Sequence, residues 1–178
     1  MPRPGIGLAS GPVAGLPNRL GDMAKTSIYA RSVEIPAPPD EVYAFHLDTR
    51  NAPLISPPGA DFREIAGEFP VTEGAQVLLR VRQSPLPFAQ TWVVRIDELV
   101  PGRLVVDVAE RSPFAEWRHE HRFAPIGSDH TLMTDHIEYR LPAGPLGALA
   151  DRLFARRQLD RMFTVRHERT RALFEERA

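Results

Sequence analysis

The sequence predicts an α+β fold in which a curved, seven-stranded antiparallel sheet wraps around a long C-terminal helix, with two short helices after the first strand. Three observations carry this. Runs of alternating apolar residues recur from Ser27 to Tyr139, separated by proline and glycine turn signals, as in a strand meander. After Pro142 and Gly144-Pro145 the apolar spacing becomes helical and continues to the end of the chain. So little helix cannot cover both faces of seven strands. The sheet must therefore curve around its own inner surface, with the last helix closing the open side over a hollow.

Taken in order, Ile28 to Ile35 alternates and stops at Pro36, which has no amide to donate. Pro38-Pro39-Asp40-Glu41 reads as a helix start with acidic residues in its first turn, followed by Val42, Tyr43, Phe45 and His46. A second short helix begins at Asp48, a suitable N-cap, and ends at Pro57-Pro58-Gly59. Strands follow at Phe62–Ile65, at 75–82 with Val77, Leu79 and Val81 on one side, and at 90–97 with Gln90, Trp92, Val94 and Ile96 together. Pro101-Gly102 is a turn signal, and 103–108 alternates around Leu104, Val106 and Val108. Two longer strands, 117–123 and 131–139, pair across residues 124–130. The final helix spans about 146–176, with Leu146, Leu149 and Leu153 expected on one buried face, then Leu159, Met162 and Phe163, then Leu173 and Phe174. Arg156-Arg157-Gln158 interrupts that face, as a kink, a drift of the face or a polar spot. A helix this long outruns the sheet, so its C-terminal turns are expected to project or fray.

The 178 residues suffice for one domain with a substantial core. Residues 1–26 are rich in glycine and proline without periodicity and are expected to be a flexible tail, leaving residues 27–178 as the folded unit. Their apolar stretches are too interrupted for a secretory signal, and Met23 is a candidate start of translation. Twenty-two Lys and Arg against 23 Asp and Glu give no electrostatic footprint for nucleic acid. The absence of cysteine excludes thiol catalysis and thiolate zinc sites and accords with a cytoplasmic location. No segment is apolar enough to span a bilayer. The sequence leaves the oligomeric state open.

The residues most informative about function are Trp117-Arg118-His119-Glu120-His121-Arg122-Phe123. Under a two-residue period, Trp117, His119, His121 and Phe123 face inward, while Glu116, Arg118, Glu120 and Arg122 form a charged outer face. An inner wall mixing rings with imidazole nitrogens suits a ligand cavity; a core strand with hydrogen-bonded histidines is the alternative. If Phe123 lies opposite Thr131, His121 lies opposite Met133, His119 opposite Asp135 and Trp117 opposite Ile137. Asp135 beside the two histidines then has three readings: a structural hydrogen bond, a polar anchor for a ligand, or an acid–base pair with His119 or His121. Two histidines and a carboxylate can also hold a metal, but no diagnostic spacing supports one, and neither a metal nor a cofactor is expected. Trp92 is an aromatic wall or a core filler. Arg31, in register with Tyr29 and Val33, is either an inward cation or a strand-end side chain reaching solvent.

The chain resembles the START and birch-pollen-allergen superfamily, also called SRPBCC or polyketide cyclase/dehydrase-like. The resemblance rests on Phe45-His46-Leu47-Asp48-Thr49-Arg50-Asn51 with Ile55-Ser56-Pro57-Pro58, which resembles an early signature of a bacterial SRPBCC branch. Later ones are Pro113-Phe114, Trp117-x-His119-x-His121-x-Phe123, Thr134-Asp135-x-Ile137-x-Tyr139-x-Leu141-Pro142 and Gly144-Pro145-Leu146-Gly147. It implies a helix-grip fold over about 27–174, but no invariant catalytic set, because members include hydrophobe carriers, aromatase/cyclases and coenzyme Q-binding proteins.

The reading that follows is a protein binding a small hydrophobic molecule, whether aromatic, lipid or isoprenoid-like, between sheet and helix. Trp92, Trp117, Phe123, Met133, Tyr139 and Phe163 would supply apolar contact, and His119, His121 and Asp135 would orient a polar group. One alternative is a cyclase or dehydratase using His119, His121 and Asp135 in acid–base chemistry. Another is a protein-interaction module whose cavity is filled.

Overall fold

The structure, a computed structural model, describes residues 26–83 and 87–177. The expected tail therefore lies outside the described residues except for Thr26. Seven strands form one antiparallel sheet: β1 (Ser27–Ile35), β2 (Asp61–Ala66), β3 (Gln76–Arg82), β4 (Gln90–Val100), β5 (Leu104–Arg111), β6 (Glu116–Ile126) and β7 (His130–Arg140). Their spatial order is β1-β7-β6-β5-β4-β3-β2, so β2 to β7 form a meander and β1 caps the far edge beside β7. Register shifts in β4, at Val93/Val94 and Ile96/Glu98, mark bulges, which bend a strand and sharpen its twist. The sheet curves as expected and stays open, with β1 and β2 as its edges.

Between β1 and β2 lie α1 (Pro39–His46), a 3₁₀ turn (Thr49–Asn51) and α2 (Ala52–Ile55). Asp48 caps the 3₁₀ turn by accepting the Arg50 amide, which is the role its side chain suggests. After β7 the helical run comprises α3 (Gly144–Ala150), a π-helical turn (Asp151–Ala155) and α4 (Arg156–Glu175). The irregularity thus falls one turn before Arg156-Arg157-Gln158. It begins at Asp151, whose carboxylate accepts hydrogen bonds from Ser27 Oγ and Tyr139 Oη, both at 2.6 Å. That carboxylate ties the helical run to β1 and β7. Gly147 allows the close approach, since a Cβ there would stand 2.2 Å from the Pro142 carbonyl oxygen.

The two ends of the run exchange their expected roles. Leu146, Leu149 and Leu153 were expected to be buried, yet they are 72%, 53% and 48% exposed, and Phe154 is also exposed. The end expected to fray is the packed one. Leu159, Phe163, His167, Thr170 and Phe174 follow helical spacing and are all buried. The reason is placement: α4 crosses the concave face against β1 and α2, whereas α3 lies outside it.

The core forms in three patches. One joins Ile35, Val42, Phe45, Phe123, Met133 and Phe174; a second joins Tyr29, Trp117, Ile137, Tyr139, Leu159 and Phe163. A smaller third, of Val71, Val77 and Ile96, supports β3 and β4. Among the described residues, no helix is long and apolar enough to cross a membrane.

Candidate functional site

Strict alternation places the site. On β7, Thr131, Met133, Asp135, Ile137 and Tyr139 are buried in every second position, so Asp135 is forced inward among apolar neighbours. On β6, Trp117, His119, His121 and Phe123 point the same way. The register differs from expectation by two residues: Phe123 pairs with Met133, His121 with Asp135, His119 with Ile137 and Trp117 with Tyr139. A shift of two preserves side-chain direction, so every face is as expected while every partner changes. The cause is the hairpin, which closes tightly at Ile126↔His130.

Asp135 is the hub. Its Oδ1 lies 2.8 Å from His119 Nε2 and 2.6 Å from His121 Nδ1, and its Oδ2 lies 2.5 Å from His167 Nε2 on α4. His119 and His167 donate aligned hydrogen bonds; His121 makes a close ion-pair contact that is poorly aligned for one. A second carboxylate, Asp107 of β5, completes the cluster. Its Oδ2 stands 3.5 Å from His119 Nδ1 and 3.6 Å from His121 Nε2. The His119 and His121 rings pack with centroids 3.9 Å apart, and His46 packs on His121 at 5.3 Å. His46 Nδ1 donates to the Val42 carbonyl at 2.7 Å.

Their surroundings drive the imidazoles apart. Burial and then the His121 charge push His46 down to about 3, against the smaller effects of the Val42 carbonyl and Asp135, with Arg166 adding least. Burial and His121 also lower His119. Burial opposes charge on His121 too, but the two flanking carboxylates overcome it and hold this group at about 9. Burial would raise both aspartates, yet the histidines keep Asp107 below its usual range and Asp135 well below it. At neutral pH the site thus holds a protonated His121 beside a neutral His119, with both carboxylates ionised.

These groups open onto a cavity of about 200 Å³. Its wall is apolar along β3 and β4, where Val77, Leu79, Val81, Trp92, Val94 and Ile96 line it, and Phe45, Ile55, Val105, Trp117 and Met162 extend it. Its polar end carries His46, Asp107, His119, His121 and Arg166. Of the residues expected to contact a ligand, Trp92, Trp117, His119 and His121 line this space. Asp135 lies behind the two histidines, and Phe123, Met133, Tyr139 and Phe163 belong to the core around it. Tyr139 gives its hydroxyl to Asp151, and Arg31 pairs with Asp160 of α4 at 3.1 Å instead of entering the cavity.

Sequence reading did not assign His46, Asp107, Arg166 or His167 to the site. For His167 a signal existed, because it lies four residues after Phe163 on the same helical face. Asp107 was hidden because β5 buries both of its faces. Val106, one of the apolar residues around which the strand was expected to alternate, is fully buried on the outer side, while Val105 and Asp107 face the cavity.

A concave sheet closed by a terminal helix over a partly apolar cavity with a polar end defines the helix-grip, START-type fold. Residues 28–175 match the family described as polyketide cyclase / dehydrase and lipid transport, and the chain belongs to that family. Solved structures share the fold. The Zhui aromatase/cyclase from Streptomyces sp. R1128 aligns at 18% identity with a TM-score of 0.71, covering 86% of this chain and 96% of that one. Norcoclaurine synthase from Thalictrum flavum, in complex with dopamine and hydroxybenzaldehyde, aligns at 13% identity with a TM-score of 0.68, covering 96% and 98%. A START superfamily protein from Mycobacterium smegmatis aligns at 16% identity with a TM-score of 0.60, covering 82% and 98%. No curated protein matches the sequence.

Proposed function

We propose that this protein binds a small hydrophobic molecule, one or two rings in size, with a polar substituent directed at Asp107, His119 and His121. The observation that carries the reading is an apolar cavity ending on a cluster of oriented imidazoles and carboxylates. Its volume of about 200 Å³ favours a compact aromatic over a long lipid or isoprenoid chain, since a dry cavity of roughly 150 Å³ takes a benzene. Apolar burial at about 25 cal/mol per Å² supplies the affinity, and the polar end supplies direction. Arg166 beside the cluster favours a phenol or carboxylate as the polar group. The sequence resemblance supports a bacterial setting, the absence of cysteine accords with a cytoplasmic one, and the hollow itself weighs against a filled interaction module.

The test uses the chain's own fluorophores. Its two tryptophans, Trp92 and Trp117, both line the cavity. Titration with hydroxylated one- and two-ring aromatics is expected to change tryptophan emission saturably, with one molecule bound in native mass spectrometry. A flat response across such a panel would refute the proposal.

A second reading, a cyclase or dehydratase, is favoured by the pairing of a proton-bearing His121 with a neutral His119. Neighbours held in opposite protonation states can act as acid and base on one substrate. Loss of turnover with retained affinity in His119→Ala would select it; loss of affinity alone would select binding.

A further inference from the structure

We propose that Asp107, His119 and His121 form a binding site for a divalent first-row transition-metal ion at the polar end of the cavity. One ligand atom from each of the three residues lies within 4.8 Å of the other two, and His119 Nδ1 and His121 Nε2 are the nitrogens that face Asp107 Oδ2. The two nitrogens stand 3.5 and 3.6 Å from the carboxylate oxygen, beyond hydrogen-bond length. They match the separation of two ligands on one tetrahedral ion, about 3.3–3.6 Å when each bond is about 2.0–2.2 Å. Two histidines and one carboxylate are a sufficient protein ligand set for zinc or iron(II), with the remaining positions left to water or substrate.

The far side of each ring gives independent support. Asp135 Oδ1 contacts His119 Nε2 at 2.8 Å and His121 Nδ1 at 2.6 Å, the two nitrogens that a metal here would leave free. A carboxylate behind a ligating histidine fixes its tautomer and ring orientation and raises its basicity. Here one buried carboxylate hydrogen-bonds the His119 ring and stands in close ion-pair contact with the His121 ring, and His167 at 2.5 Å fixes that carboxylate in turn. Charge also fits. A divalent ion would take the place of the positive charge that His121 carries between the two aspartates, releasing that proton to solvent. The open positions face the cavity, where the ion would polarise a phenolic or carbonyl oxygen as a Lewis acid. The site does not require the organic ligand proposed above.

The experiment uses the full chain, stripped with a chelator and then titrated with Co(II) in the absence of any aromatic. We expect one equivalent to bind and give visible bands of low-coordinate Co(II), which one equivalent of Zn(II) displaces. In Asp107→Asn and His121→Gln, with folding checked by circular dichroism, the bands are lost. Asp135→Asn, whose side chain touches no metal, weakens Zn(II) binding about 10–100-fold. His130→Ala, an exposed histidine beside Asp129, leaves the spectrum unchanged. Absence of stoichiometric Co(II) and Zn(II) binding by the unaltered chain would overturn the proposal, so a variant that fails to fold does not decide it. Bands that persist in folded Asp107→Asn and His121→Gln, or that vanish in His130→Ala, would also overturn it. Because no organic molecule is present, this outcome is separable from that of the fluorescence titration.

Discussion

The two halves of the sheet are built on different principles. The half formed by β5, β6 and β7 carries Asp107, His119, His121 and Asp135, and α4 adds His167. The half formed by β2, β3 and β4 offers the cavity mainly valine, leucine, isoleucine and Trp92, much of it only half-buried. The first half is a polar network whose members are costly to leave unpaired; the second is a hydrocarbon surface with few specific partners. One half orients a guest. The other gives it room.

Removing the hub should break this contrast most sharply. Asp135→Ala strands three imidazoles in the core and is expected to cost about 3–5 kcal/mol, the usual penalty for removing one partner of a buried ion pair. Denaturant melts read this directly, and a loss below 1 kcal/mol would show that the network carries little stability.

The next effect is a pH profile, measured with chelator present. His46, held at about 3, stays neutral in the fold while the unfolded chain takes up a proton near 6.5. Stability from its burial is therefore present above 6.5 and is lost as pH falls toward 3. His121 has the opposite sign. Its folded value of about 9 gives stability that is complete below 6.5 and lost as pH rises through 9. Melting temperature should accordingly be highest near pH 6.5, and His46→Phe should flatten the acid limb. An acid limb unchanged in that variant would refute the assignment.

On the hydrocarbon side, Trp92→Ala should weaken aromatic binding about tenfold or more, as the loss of a large apolar contact predicts, with a smaller effect on folding than Asp135→Ala. Isothermal titration separates the two effects. Smallest of all, Leu79→Ala on half-buried β3 should cost about 1 kcal/mol. A loss as large as that of Asp135→Ala would erase the distinction between the halves.

The sequence exposed the polar half better than it exposed its partners. Alternation on β6 and β7 was clean because each strand puts charge or polarity outward, so the inward placement of His119, His121 and Asp135 could be read without a structure. Partner identity could not, because a hairpin register two residues away satisfies the same alternation. On β5 both faces are buried, which removes the polar–apolar contrast that parity depends on, and Asp107 went unread. The final helix misled for another reason. Leucines at helical spacing mark a coherent stripe but not what covers it, and the stripe of Leu146, Leu149 and Leu153 lies beyond the sheet.

Because Asp135 is held by two residues of one strand and by one of the terminal helix, β6, β7 and α4 share a single fastening. None of the three can peel away without stripping the other two of a contact. Their backbone amides should consequently trade protons with solvent as one slow block, while those of β2 and β3 open early and independently.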